Sequence, residues 1–303
     1  MSSDPDPMAK ALFLGLPLHG HTNPSLPLVR ELVGRGEEVV YYSADPFAAR
    51  IEQTGARYRP YRNAFLADIT RLPERMDELS WLLMQTTADI LDRELDAFRA
   101  ERPDYVIADS VAPWGQWVGE VLGVPVVTSV STFAFNRHVL AFAASHGVRP
   151  KSAKLLLSKL RHVYKALRLG RRLSRKYGVA GPGITGLVLG RSALNIVYTS
   201  RHFQPCAGTF DDRFQFVGPS LTLAGTSDCR EEQARRAAVV YVSLGTLFNA
   251  DAAFYRACFE AFGREDIEVI LSIGTNVSEA SLGQAPANFV VRPHVPQWPR
   301  SAP

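Results

Sequence analysis

Cysteine is scarce in this sequence. Cys206, Cys229 and Cys258 are the only three, and none belongs to a C-x-x-C pair. That spacing matches no zinc or dithiol redox motif and suits free thiols in a reducing cytosol. Long apolar runs are missing too. No window approaches the roughly 18 apolar residues of a membrane-spanning helix. Residues 1–8 are polar and acidic, where a secretory leader would be basic and then apolar. A cytoplasmic protein is therefore expected, with Met8 as an alternative start. The loop after the first strand, Gly15–Thr22, lacks G-x-G-x-x-G, so NAD or FAD binding there is unsupported. No His, Cys, Asp or Glu spacing suggests a metal centre, and neither metal nor cofactor is expected. Internal repeats are absent.

What is present reads as an α/β protein. The 303 residues are 46% hydrophobic and 21% charged, with a net charge of +4, the profile of a globular chain with more than one core. Residues 11–16 form an apolar run, followed by PLHGHTNPS, a helical pattern from Leu26 to Arg35 and a second run at 38–43. This β-loop-α-β order opens a parallel sheet whose strands are buried on both faces. Further strands are predicted at 104–108, 124–129, 195–198 and 214–217, with a helix at 114–122. A polar run to about Arg236 then reads as a linker. Strands at 239–245, 267–274 and 288–297 and a helix at 251–263, with apolar residues at 254, 258, 259 and 262, begin a second unit. The expected organisation is a first domain over 9–218, a linker over 219–236 and a second domain over 237–303. Three strands are few for a doubly wound sheet, which ordinarily has five or six.

The loop Gly15–Thr22 nearly matches the phosphate-binding G-x-x-x-x-G-K-[ST], but His21 replaces the lysine and removes the main cation for a triphosphate. His21 follows a strand, where α/β sheets place ligands. A neutral imidazole there can take a proton from a hydroxyl near pH 7. It needs an acid to orient its other nitrogen. Asp109 ends another predicted strand and is the candidate. The alternative is that His21 caps its loop and Asp109 caps the next helix.

Several segments in order resemble the macrolide and antibiotic UDP-glycosyltransferases: HGHTNPSLPLVRELVGRGEEV, FDDRFQFVGPSL (210–221), VYVSLGTLFNADAAFYRACFEAF (240–262) and ANFVVRPHVPQ (287–297). The likeness runs from about residue 9 to Gln297. It implies a GT-B fold of two Rossmann-like domains, the second incomplete here. It implies that His21 deprotonates an acceptor hydroxyl and that Asp109 orients His21. His19 falls at a position that varies in chemistry and reads as a loop residue. The resemblance also implies donor contacts from Ser243, Gly245, Thr246, Gly274, Val295 and Gln297, with Ser131 and Thr132 near the sugar and acceptor. Read without it, the SLGT segment is an ordinary β-to-α turn, although Gly245 lets backbone approach a phosphate closely. The implied reaction is an inverting displacement. The acceptor oxygen attacks the anomeric carbon of a UDP-sugar, UDP-glucose being the expected donor, and UDP leaves without a metal. The acceptor would be a hydrophobic hydroxylated small molecule such as a macrolide or polyphenol, selected by loops over about 62–100 and 133–180. A non-catalytic helper remnant and a sugar-nucleotide epimerase are the rival readings.

The sequence departs from that family after V-P-Q. Relatives continue with an H-x-G element and an acidic–amide pair that hold the donor, and neither is in these residues. WPRSAP (298–303) resembles no element. One added base before its codons can yield Leu-Ala-Ala-Glu-Arg-Ala, so a one-base frameshift near residue 298 is expected, with little transferase activity. One more feature is left over. Residues 151–176 hold ten Lys or Arg and no acid. Leu155, Leu156, Leu160, Val163, Tyr164 and Leu167 share one helical face within that stretch. It suits a solvated helix with its apolar face toward the core. It also suits weak contact with an anionic membrane surface. No nucleic-acid partner is expected, because an aromatic stacking platform is missing.

Overall fold

The continuous apolar runs become parallel strands. In a computed structural model the described residues are 9–67, 76–146, 153–182, 192–220, 238–245 and 249–295. The chain divides into two compact units, Met1–Leu221 and Thr222–Pro303. The predicted linker lies outside the described residues from 221 onward.

Seven parallel strands build the first unit: β1 (Lys10–Leu14), β2 (Glu38–Ser43), β3 (Arg57–Pro60), β4 (Tyr105–Asp109), β5 (Val126–Val130), β6 (Leu194–Val197) and β7 (Phe214–Phe216). Their order is β3-β2-β1-β4-β5-β6-β7. The direction of winding reverses between β1 and β4, the point where doubly wound sheets form their ligand crevice. β1 and β4 are buried at four of five positions, as central strands covered on both faces must be.

Helix α1 (His19–Gly34) follows β1. It starts seven residues earlier than the predicted helix, so His19 opens a helix rather than sitting in a loop. The backbone N–H groups of His21 and Thr22 donate to the carbonyl of Leu18 at 3.0 and 2.8 Å. Pro24 and Pro27 lie inside the helix. They leave the carbonyls of Gly20 and Asn23 without their usual N–H partners. Both residues are exposed, so water can satisfy those carbonyls. Helices α2 (Ala48–Glu52), α3 (Ala64–Ala67), α4 (Met76–Arg93) and α5 (Leu95–Glu101) follow. Most of the region expected as loop over 62–100 is therefore helical.

Helix α6 (Pro113–Leu122) lies close against the sheet through two glycines one turn apart. A Cβ on Gly115 would sit 2.4 Å from Ala108 Cβ, and one on Gly119 would sit 2.1 Å from Val126 Cγ2. Pro113 starts this helix with a preset φ, and Gly123 ends it at φ 71°. Trp114 is buried and donates to Tyr61 Oη at 3.0 Å. Helix α7 (Arg137–Ser145) is capped by Asn136, whose side chain accepts from the N–H groups of His138 and Val139. Helix α8 (Ala153–Tyr177) carries the basic stretch and packs on α4. Its Leu160, Val163, Tyr164 and Leu167 are exposed, against the expectation that this stripe meets the core.

In the second unit, β8 (Val239–Ser243), β9 (Glu268–Ser272) and β10 (Phe289–Arg292) form a parallel sheet in the order β10-β9-β8. The last strand is four residues long, not the predicted ten. Helix α9 (Ala252–Phe262) starts at Asp251, whose carboxylate accepts from Phe254 N–H at 3.0 Å. It packs through Tyr255 and Cys258. Phe254, expected on the apolar face, is exposed instead. A short helix α10 (Glu279–Leu282) completes the described elements.

Candidate functional site

Three strand ends of the first unit converge on one histidine. His21 stands in the first turn of α1, just past β1. Asp109 is the last residue of β4, and Ser131 follows β5. His21 Nδ1 lies 3.0 Å from Asp109 Oδ1 and 2.9 Å from Oδ2. Ser131 Oγ is 2.8 Å from the same nitrogen. A tight turn holds the carboxylate, in which Val111 N–H donates to Asp109 Oδ1 at 2.8 Å. The Asp109 side chain is only 2% exposed and that of His21 12%. Residues whose spacing alone left the pairing open are thus in hydrogen-bond contact across 88 positions of sequence.

The electrostatics favour a held proton on Nδ1. Burial disfavours the charged imidazolium. The Asp109 charge and its hydrogen bond favour it, and the balance raises His21 above its ordinary 6.5. With Nδ1–H directed at the carboxylate, Nε2 is the nitrogen left to exchange a proton with a bound molecule. Beside this pair, Ser129 donates to Tyr198 Oη at 3.1 Å. Burial and the Asp109 charge push that phenol up to about 12 against the opposing Ser129 hydrogen bond, so Tyr198 stays neutral.

A cavity of about 280 Å³ adjoins Asp109. Phe133, Phe135, Leu140, Val130 and Phe214 line much of it, and Thr132 lines it as well. Ser131 and Thr132 therefore part company: the first meets His21, and the second faces the cavity, as strand alternation requires. An apolar enclosure with a few polar groups is the ordinary form of a small-molecule site. Sequence reading did not single out Phe133 and Phe135, which lie in a loop and carry no periodic signal, or Leu140 of α7.

In the second unit the predicted donor residues that are described collect at one edge of the sheet. Ser243 ends β8, Gly245 and Gly274 follow β8 and β9, and Val295 follows β10. Both glycines have positive φ, 81° and 73°. The Gly245 N–H points at Ser243 Oγ, 3.1 Å away. Asn249, which the sequence did not mark, ties this edge together. It is 1% exposed, donates to the Gly245 carbonyl at 2.9 Å and accepts from Asn276 at 2.7 Å. A Cβ on Gly274 would sit 2.0 Å from Asn249 Nδ2. Tyr241 Oη donates to the Val295 carbonyl at 3.2 Å and pins the segment after β10. Thr246 and Gln297 lie outside the described residues. Among the described residues, no three His, Cys, Asp or Glu side chains are grouped to hold a metal ion.

The chain matches no family model. It is similar to curated and solved proteins along nearly its whole length. An uncharacterized UDP-glucosyltransferase of Bacillus subtilis, YojK, is 32% identical over 297 residues, covering 96% of this chain and 72% of that protein. Demethyllactenocin mycarosyltransferase of Streptomyces fradiae is 32% identical over 305 residues, covering 95% of this chain and 64% of that protein. The crystal structure of the kitacinnamycin glycotransferase superposes with a TM-score of 0.74 at 26% identity, covering 96% of this chain and 72% of that one.

Proposed function

The chain belongs to the UDP-glycosyltransferase family that includes the macrolide and antibiotic glycosyltransferases, and on that premise we propose an inverting transfer of a hexose, glucose, from a UDP-sugar to a hydroxyl of a hydrophobic small molecule. The observation that carries this reading is the His21–Asp109 contact at 2.9 Å at the switch point of the sheet. His21 Nε2 takes the acceptor hydroxyl proton. The freed oxygen attacks the anomeric carbon from the face opposite the diphosphate. The bond to UDP breaks with its electron pair on the departing phosphate, and the anomeric configuration inverts. Asp109 fixes the tautomer and stabilises the imidazolium while it exists. Ser131 helps to orient the ring.

The acceptor is proposed to be apolar and hydroxylated, because the cavity beside Asp109 is walled by Phe133, Phe135 and Leu140. A polyphenol or macrolide fits that chemistry. The carboxyl edge carrying Ser243, Gly245, Gly274 and Val295 is proposed to bind the UDP-sugar, with Asn249 holding two of its loops. No metal takes part in the proposed step.

The test is UDP release from UDP-glucose with a panel of flavonoid and macrolide acceptors. Acceptor-dependent release that falls about 10²- to 10⁴-fold in His21→Ala supports general-base transfer. Equal release by wild type and His21→Ala would overturn it. The same assay tests the expectation of little turnover by this 303-residue polypeptide.

A further inference from the structure

The solvent side of α8 is apolar and basic at once. Leu160, Val163, Tyr164 and Leu167 are 58%, 45%, 62% and 38% exposed. Their spacing, i, i+3, i+4 and i+7, puts them in one stripe along the helix. Contacts on the far side fix this rotation. His162 Nδ1 lies 2.8 Å from Asp77 Oδ2 on α4, Lys165 Nζ sits 5.4 Å from the centre of the Trp81 ring, and Lys176 pairs with Asp92. Leu173 is buried on that same far side. The helix therefore has a packed face, and its apolar stripe is not part of it.

Cations flank the stripe. Arg161, Arg168, Arg171 and Arg175 are exposed, and none forms an ion pair with a described residue. The charge is also segregated over a longer range. No Asp or Glu occurs between Glu120 and Asp211, while that stretch holds fourteen Lys and Arg. The whole chain is only +4, so the remaining residues are net negative. A strongly positive zone around an exposed apolar stripe complements a negatively charged, partly apolar surface.

We propose that the outward face of α8 docks on the headgroup surface of an anionic lipid bilayer. The stripe of Leu160, Val163, Tyr164 and Leu167 enters the headgroup–acyl boundary, and the arginines beside it meet lipid phosphates. Tyr164 suits that boundary, with an apolar ring and a polar tip. The helix lies on the membrane and does not span it. Among the described residues, no helix is long and apolar enough to cross a bilayer. Docking would hold the chain where hydrophobic small molecules partition.

The test is flotation of the full 303-residue chain with phosphatidylcholine vesicles, with and without phosphatidylglycerol. The chain should float with the anionic vesicles only and release as salt shortens the screening length. Each arginine near the surface should contribute about fivefold to partitioning, so R161Q/R168Q/R171Q together should lose roughly a hundredfold. L160S/Y164S/L167S should lose binding as well. All these side chains are exposed, so circular dichroism should match wild type. Equal flotation with both vesicle types would overturn the proposal, as would wild-type binding by either triple variant. So would absence of flotation combined with an α8-dependent dimer in size-exclusion chromatography, which would mark the face as a contact between copies. The salt series on wild type needs no variant and decides the electrostatic part alone.

Discussion

Asp109→Asn separates the charge of the site from its shape. The side chain is 2% exposed and accepts from His21 Nδ1 and from Val111 N–H. Asparagine keeps the size and an acceptor oxygen for Val111 but removes the negative charge. A hydrogen bond to a charged partner contributes about 1.5–3 kcal/mol, and a neutral one about 0.5–1.5. The imidazolium formed as the acceptor proton is taken would thus lose about 1–2 kcal/mol, or roughly 5- to 30-fold in rate. The pH profile should move as well. His21 is raised above 6.5 because the Asp109 charge and hydrogen bond outweigh burial together. Removing the carboxylate leaves burial acting alone, so the imidazole should fall below 6.5. In the proposed reaction the neutral ring is the base, so activity should rise with pH through this value. Wild type should show its acid limb above about pH 6.5 and the variant below it. The deficit of the variant should therefore be full near pH 8 and shrink toward pH 6. Two assays read this: the pH dependence of kcat/KM for UDP release, and imidazole titration of His21 by NMR, which needs no turnover. An imidazole that titrates at the same pH in both proteins would refute the reasoning.

Three other expectations follow from the packing. Burial pushes the Glu94 carboxyl up to about 7, against the opposing hydrogen bond from Arg62 N–H at 3.1 Å. Its folded value exceeds its unfolded one, so stability is full below about pH 4.5 and falls as pH rises through 7, by on the order of 3 kcal/mol. Glu94→Gln keeps the acceptor for Arg62 and should melt several degrees above wild type at pH 8 while matching it near pH 4.5; a uniform shift across pH would contradict this. Gly115→Ala places a methyl 2.4 Å from Ala108 Cβ and should cost about 1–3 kcal/mol, lowering Tm by several degrees; an unchanged Tm would mean that α6 stands off the sheet. Asn249→Ala frees the Gly245 and Gly274 loops and should raise the KM for UDP-sugar several-fold while leaving acceptor KM unchanged. A matching rise in both would assign Asn249 to general stability instead.

The strands were legible because a parallel strand buried on both faces must be apolar throughout. Residues 38–43 and 105–108 say so without help from tertiary context. β3 was not legible. RYRP is charged, and its proline suits the edge position it occupies in the sheet. The start of α1 was hidden by Pro24, read as part of the loop PLHGHTNPS; Pro24 and Pro27 both lie inside the helix. They are tolerated because the carbonyls they leave unpaired belong to exposed residues. The direction of α8 was hidden for another reason. A helical stripe of leucine, valine and tyrosine normally meets a core. Here His162, Lys165 and Lys176 make the contacts with α4 instead, and only their partners in space reveal it.

The site divides along the same line. His21 and Asp109 could be nominated from the sequence because Asp109 closes a strand and His21 stands in the turn that follows one, and strand ends are where such sheets bind. Their pairing could not be derived from spacing. It depends on the strand order that sets β1 beside β4, with Leu14 opposite Ala108 and Asp109 next in line. Ser131 follows from the next register step, since Asp109 stands opposite Ser129 and alternation brings Ser131 back to the same face. Asn249 has no such rule behind it. It lies in a loop, and its importance comes from a backbone carbonyl at Gly245 and a missing side chain at Gly274. A polar residue that works by bridging two loops is invisible until both loops are in place. For that reason Asn249 is a sharper test of the proposed donor edge than Ser243, whose hydroxyl any β-to-α turn could use to hold its own backbone.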